Sequence, residues 1–247
     1  MKRLAYLLAN TNGLPGIKKD IEDFKGFLKS CAGGAWEDDG IEIVERYGKR
    51  VNEVESELAS IKLACYDYVI FYYSGHGAWE RSTCLYINDG DEYINESETR
   101  NLALRQLSIF DCCRATPQSG LESKVATFDE AIDSAEERRR IYREKFNRLI
   151  MEASSQEVRL YACRIGQSAI ATGSGSLYTQ ALLNCAGSMS RFQNVDAIAA
   201  HGACCASVTC AAKALCCEQN PDCDCVFASE LHKPLPIAIS APESLHS

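Results

Sequence analysis

The sequence has no excess of positive charge, no apolar run long enough to span a bilayer, no internal repeat and no Cys-x-x-Cys pair. Each absence excludes something. Asp and Glu number 34 against 26 Lys and Arg, a net charge of −8, so nucleic acid and anionic membrane surfaces are not expected partners. A transmembrane helix needs roughly 18 consecutive apolar residues, and no stretch approaches that. Residues 1–10, MKRLAYLLAN, begin like a secretory leader. Their apolar part is too short and no small-residue cleavage site follows, so they read better as a first strand, and the expected location is the cytoplasm. Without Cys-x-x-Cys spacing there is no zinc knuckle, and no metal is expected.

The chain is rich in cysteine, 14 in 247 residues. Disulfide scaffolds are usually small and coreless, whereas these cysteines sit mostly inside apolar or helical segments. The seven from Cys204 to Cys225 read as small packing residues in a reducing compartment. With 46% hydrophobic residues the chain can bury a full core, and one domain over 1–247 is expected.

Strand-like and helix-like segments alternate. Residues 2–9 read as a strand and 10–16 as a turn-rich loop. A helix follows over 20–30 with Ile21, Phe24, Phe27 and Leu28 on one face, closed by Gly33-Gly34. A short strand is expected at 41–44. Asn52 and Glu55 have capping-box spacing before a helix that turns Val54, Leu58 and Ile61 inward. Residues 84–94 suggest a small hairpin around Asp-Gly. Residues 115–128 show no period, and a helix carrying Tyr142, Phe146, Leu149 and Ile150 then runs to about 153. Further strands are expected at 158–163 and 235–240, with helices from near Leu177 and over 195–217. This alternation predicts an α/β sandwich with a six-stranded, mostly parallel sheet and helices on both faces.

Two strand ends carry the chemistry. The unbroken apolar run 68–73 reads as a strand buried on both faces, and it stops at Ser74-Gly75-His76-Gly77. The run 107–110 stops at Asp111-Cys112-Cys113-Arg114. Ligands of open α/β sheets lie just outside the carboxyl ends of the strands. A cysteine attacks as its thiolate and needs a base to form it, and a histidine on the adjacent strand end can serve, then protonate a leaving amine. Gly77 and Cys113 offer backbone N–H donors for an oxyanion. His201, His232 and His246 read as ordinary packing or surface residues.

These two tetrapeptides, in this order, resemble the caspase and metacaspase cysteine peptidases. So does the sequence of elements out to Leu-Pro-Ile-Ala-Ile, with Gly166-Gln-Ser-Ala and Ser176-Leu-Tyr-Thr-Gln-Ala-Leu matching the small-subunit half. The resemblance implies the caspase–hemoglobinase fold, with residues 1–114 and 136–247 as its two halves and 115–135 as a possible processing region. It implies a Cys-His dyad of nucleophile Cys113 and base His76. Cys112 competes for the first role, but Cys113 precedes Arg114 and lies two residues after Asp111, as in the family patterns.

Caspases recognise P1 Asp through an arginine whose position here is Leu14. Metacaspases line S1 with acids and a serine, and those positions match Asp20, Ser74 and Asp111, which implies cleavage after Arg or Lys. Asp20 could alternatively cap its helix. Lys124, Arg138, Arg139 and Arg140 are then possible self-processing sites, although 136–143 also reads as a solvated helix face. The sequence departs from the family in a short His-to-Cys interval, in Ala115 after Arg114, and in lacking the metacaspase His-Ser-Gly. Calcium activates many metacaspases. Asp89, Asp91, Glu92, Glu96 and Glu98 supply oxygens, but not at the family's spacing or that of an EF-hand, so no cofactor is expected. The expected function is a cysteine endopeptidase acting on proteins, with an activator protein or protease as possible partner. The alternatives are a catalytically idle caspase-like regulatory module and a caspase-fold peptidase with another P1 preference.

Overall fold

A computed structural model describes residues 1–14, 16–37, 42–116, 136–227 and 233–242. In chain order the elements are β1 (Arg3–Ala9), α1 (Gly16–Lys29), β2 (Ile43–Tyr47), α2 (Val51–Leu63), β3 (Tyr68–Ser74), β4 (Gly77–Trp79), β5 (Thr83–Tyr86), β6 (Tyr93–Asn95) and β7 (Arg105–Asp111). There follow α3 (Glu136–Glu152), β8 (Gln156–Tyr161), β9 (Ala171–Thr172), β10 (Gly175–Ser176), α4 (Leu177–Ser190), β11 (Val195–Asp196), α5 (Ala197–Ala214), β12 (Asp222–Phe227) and β13 (Pro236–Ala238).

The main sheet has the order β12-β8-β7-β3-β1-β2. All neighbours are parallel except β12, which runs antiparallel to β8. All seven residues of β3 are buried, as a strand inside a two-faced sheet requires. Period-2 alternation sorts the strands onto two cores. Ala5, Leu7, Ile70, Tyr72 and Leu107 face Phe24 of α1, Phe146 of α3, Leu182 of α4 and Val208 of α5. Leu4, Tyr6, Phe71, Tyr73 and Phe110 face Val54 and Leu58 of α2, together with Leu85 and Ile94 of the β4–β5–β6 sheet. The fold is therefore three-layered, with helices on both faces.

Several expectations need correction. The sixth strand is β12, whereas 235–240 supplies β13, paired with β11 in a separate two-stranded sheet. Asp222-Cys-Asp-Cys-Val-Phe lacks the apolar run of an inner strand because an edge strand is half solvated. Its polarity is matched across the ladder, where Asp224 lies opposite Arg159 and pairs with it at 3.0 Å. Helix α1 starts at Gly16, which puts Asp20 in its second turn and removes the capping role. In α2 the N-terminal box is set by Glu53, which accepts from Arg50 N–H at 2.9 Å, two residues before the expected pair. The basic run of α3 is not simply solvated: Arg139 donates to Lys29 O (2.7 Å) and Arg143 to Ala35 O (2.9 Å), tying the helix to the turn after α1. Helix α5 is the one described helix long and apolar enough to cross a bilayer by length and composition. Here Ala200, Cys204 and Val208 pack it into the core.

Candidate active site

Strands β3 and β7 run parallel with Ser74 opposite Asp111. They leave the sheet together, because Gly75 N–H donates to Asp111 O at 3.1 Å. His76 and Cys113 thus each lie two residues beyond the last paired position, at one edge of the sheet. Gly75 has φ +154°, and a Cβ there would stand 2.9 Å from Asn10 O, so only glycine makes this exit. At Gly77 a Cβ would stand 2.7 Å from both Cys112 Sγ and Cys113 O. The missing side chain lets the histidine loop lie directly on the cysteine loop.

His76 is exposed, and its Nε2 lies 2.6 Å from Asn12 O. A carbonyl only accepts, so Nε2 carries the proton and Nδ1 the lone pair. The Cys113 thiol is half-buried and donates to Ala169 O at 3.6 Å. Burial, partly offset by hydrogen bonds to Ala169 and Ser168, raises its pKa, and the resting group is a thiol. Among the described residues His76 and Cys113 are not hydrogen-bonded to each other. Cys112 is 2% exposed and packs in the core on the α2 side, with its pKa pushed well up by burial.

Gly77 lies in a non-hydrogen-bonded position of the β4–β5 ladder, since Tyr86 N–H donates to His76 O at 3.1 Å. Its own N–H therefore points out of that ladder. That is the side on which Trp79 N–H meets Ala115 O at 3.0 Å, the side of the cysteine loop.

The structure brings Asp20, Ser74 and Asp111 together but does not leave them lining an open hollow. Asp20 is fully buried and accepts from Ser176 N–H at 2.9 Å and 3.0 Å, from Gln180 Nε2 at 3.3 Å and from Ser74 Oγ at 3.4 Å. Asp111 accepts from the Ser176 hydroxyl, from Thr179 N–H (3.1 Å) and from Thr179 Oγ1 (2.6 Å). The N-terminal turn of α4 thus roofs both acids. No Lys or Arg among the described residues pairs with either. Burial first, and then Asp111, raise the Asp20 pKa well above the ordinary carboxylate range; burial also raises that of Asp111. Leu14 offers no cation from the first loop and packs against the core.

Arg114 turns to the opposite side of β7. Its guanidinium lies 3.9 Å from the Tyr161 ring and bonds Thr83 Oγ1 at 3.1 Å. His201 is buried and bonds Tyr178 through Nδ1 at 2.8 Å, and burial lowers its pKa to about 4. The candidate calcium residues are not gathered at one point. Glu96 faces Arg100 and Tyr161, Glu98 receives Asn95 N–H, and among the described residues no three metal-ligating side chains cluster. That donor set does not fit a calcium ion. Arg138, Arg139 and Arg140 lie in the first turns of α3, and Lys124 lies outside the described residues. Asn12, Ala169, Ser176 and Thr179 join the site without an expected role in it, although Ser176 and Thr179 lie in the segment that resembles the small-subunit half. The first two act through backbone carbonyls, which no side-chain pattern reveals. Ser176 did carry a signal, as a serine just before an apolar helix.

A histidine and a cysteine at the carboxyl edge of a parallel sheet, inside a three-layer α/β domain, define the class. The chain belongs to the caspase-domain family, whose model matches residues 2–232. Among solved structures, protein GSU0716 from Geobacter sulfurreducens is similar in fold, with TM-score 0.54 and 15% identity over 98% of this chain and 100% of that one. No curated protein matches.

Proposed function

We propose that the chain is a cysteine endopeptidase working through Cys113 and His76. The observation that carries this reading is the register of β3 and β7, which sets both residues two positions past the Ser74–Asp111 pair. His76 Nδ1 takes the Cys113 proton, and the thiolate attacks the scissile carbonyl. The Gly77 and Cys113 N–H groups receive the oxyanion. His76 returns its proton to the leaving amine, and a water deprotonated by His76 then hydrolyses the thioester. Apo dyads are often loose and tighten on binding substrate, in keeping with a thiol that rests on Ala169.

Preference for Arg or Lys at P1 belongs to the same proposal. Burial raises the proton affinity of these two carboxylates, which have no cation beside them among the described residues, and a basic side chain can replace a proton once the α4 turn shifts. The catalytic measurement is turnover of Arg, Lys and Asp fluorogenic peptides, with and without calcium. Cleavage after Arg and Lys that is lost in Cys113→Ala is expected, and cleavage after Asp alone would refute the pocket assignment. Self-processing at Lys124, Arg138, Arg139 or Arg140 belongs to the same proposal, and the three arginines lie in a helix that must unwind to enter a protease. A cytoplasmic, reducing setting belongs to the same proposal, because most of the cysteines lie in apolar or helical segments of the sequence.

A second reading, an idle caspase-like module that binds partners, is favoured by the roofed acid pair and the unjoined dyad. Labelling by a thiol-reactive Arg peptide discriminates: modification at Cys113 supports the enzyme, and none supports the module.

A further inference from the structure

Behind the cysteine loop, on the α2 side of the sheet, lies a polar cavity of about 210 Å³ walled by guanidinium groups. Arg81, Arg100, Arg114 and Arg159 line it, facing Glu96 within and Asp222 and Asp224 on the edge strand. Arg159 and Glu96 are 5% and 4% exposed. Both are left incompletely bonded. Arg159 Nε makes no hydrogen bond, though it forms an ion pair with Glu157 Oε1 at 3.3 Å. Arg100 Nε makes no hydrogen bond either. Glu96 Oε1 receives Arg100 (2.8 Å) and Tyr161 (3.0 Å), while its Oε2 is buried without a donor. Buried polar groups are seldom left so, and here the incompletely bonded side chains of Arg100, Arg159 and Glu96 line one cavity.

A ligand that satisfies them accepts from guanidiniums and donates to a carboxylate. Sulfate accepts only. Orthophosphate near neutral pH keeps at least one P–OH, so it can bond Arg159 and Arg100 through its oxygens and Glu96 Oε2 through its hydroxyl. We propose that this cavity is a binding site for free orthophosphate, selected over sulfate by Glu96. Exposed Arg81 at the cavity supplies a further charge, and the half-exposed Asp222 and Asp224, 3.7 Å from Arg114 and 3.0 Å from Arg159, are the contacts the anion displaces. The site includes Arg114 but not the dyad, so it stands whether or not the chain is a peptidase.

Isothermal titration of the full chain in phosphate-free buffer, with sodium phosphate and sodium sulfate at matched ionic strength, tests this. One hydrogen bond to a charged group corresponds to about tenfold in affinity, so phosphate should bind about tenfold more tightly than sulfate. Glu96→Gln should bring the ratio to about one, because the amide supplies its own donor. Arg81→Ala, an exposed change that leaves folding intact, should weaken phosphate about fivefold with the ratio unchanged. Glycerol 3-phosphate, mostly without a P–OH at neutral pH, should bind more weakly than orthophosphate. No saturable phosphate binding, sulfate binding as tightly as phosphate, or a ratio that survives Glu96→Gln would each overturn the site.

Discussion

Asp111 joins the acid pair to the cysteine strand, and two expectations follow from its surroundings. Charge-assisted hydrogen bonds contribute about 1.5–3 kcal/mol, so Asp111→Asn should lower kcat/KM on an Arg peptide by about one to two decades. A comparable loss on an Asp peptide would mean that the carboxylate serves structure alone. The second concerns pH. A carboxylate whose folded pKa is raised binds its proton more tightly folded than unfolded. Its favourable contribution is complete below the unfolded value and is lost as pH rises through the folded one. Urea midpoints should therefore fall from about pH 4 upward across the range of the raised pKa values. In Asp20→Asn the pH slope over that window should flatten, whatever happens to the absolute midpoint. Cys112 and Cys113 differ by one residue and by the face of the strand: the first fills the core, the second reaches the edge.

At the scale of elements, the N-terminus of α4 holds the site in its resting form. Ser176 caps the helix by accepting Thr179 N–H at 3.0 Å, while its own N–H serves Asp20 and its hydroxyl serves Asp111. Ser176→Ala removes a cap worth about 1 kcal/mol and leaves a buried acceptor short of a donor at about 1–3 kcal/mol. Loss of about 2–4 kcal/mol by chemical denaturation is expected, largely restored by Thr. The three-residue β4 is equally local in cause: Gly77 permits the close approach that lets it reach the cysteine loop. A methyl group at Gly77 meets backbone and a buried sulfur. Gly77→Ala is expected to destabilise by about 1–3 kcal/mol and to reduce turnover more than binding, because the N–H it displaces is the proposed oxyanion donor; equal effects on kcat and KM would argue against that role.

At the scale of the molecule, the two halves of the chain meet along β7 and β8, paired in parallel from Arg105 opposite Gln156 to Phe110 opposite Tyr161. A cut in 115–135 therefore severs the chain without separating the halves. Incubated protein should give two fragments by mass but a single unaltered peak by gel filtration, and Cys113→Ala should stay intact. Cleavage persisting in that variant would point to another protease. Core burial is shared between the halves too: Phe24 of the first stacks on Tyr72 at 4.4 Å beneath α4 of the second, and Phe24→Ala should cost about 3–5 kcal/mol.

The sequence by itself determined the layered α/β class and the inner parallel strands, because unbroken apolar runs such as those ending in Ser-Gly-His-Gly and Asp-Cys-Cys-Arg are local signals of strands buried on both faces. It also favoured Cys113 over Cys112, through the resemblance to the family patterns around Asp111 and Arg114. Tertiary structure alone decided three things: that β12, an alternating acid–cysteine strand, completes the sheet through Arg159; that Asn12 orients His76 through a backbone carbonyl; and that α4 roofs the acid pair. Each depends on partners distant in the chain meeting through backbone atoms or across a solvated edge, where side-chain pattern carries no record of the contact.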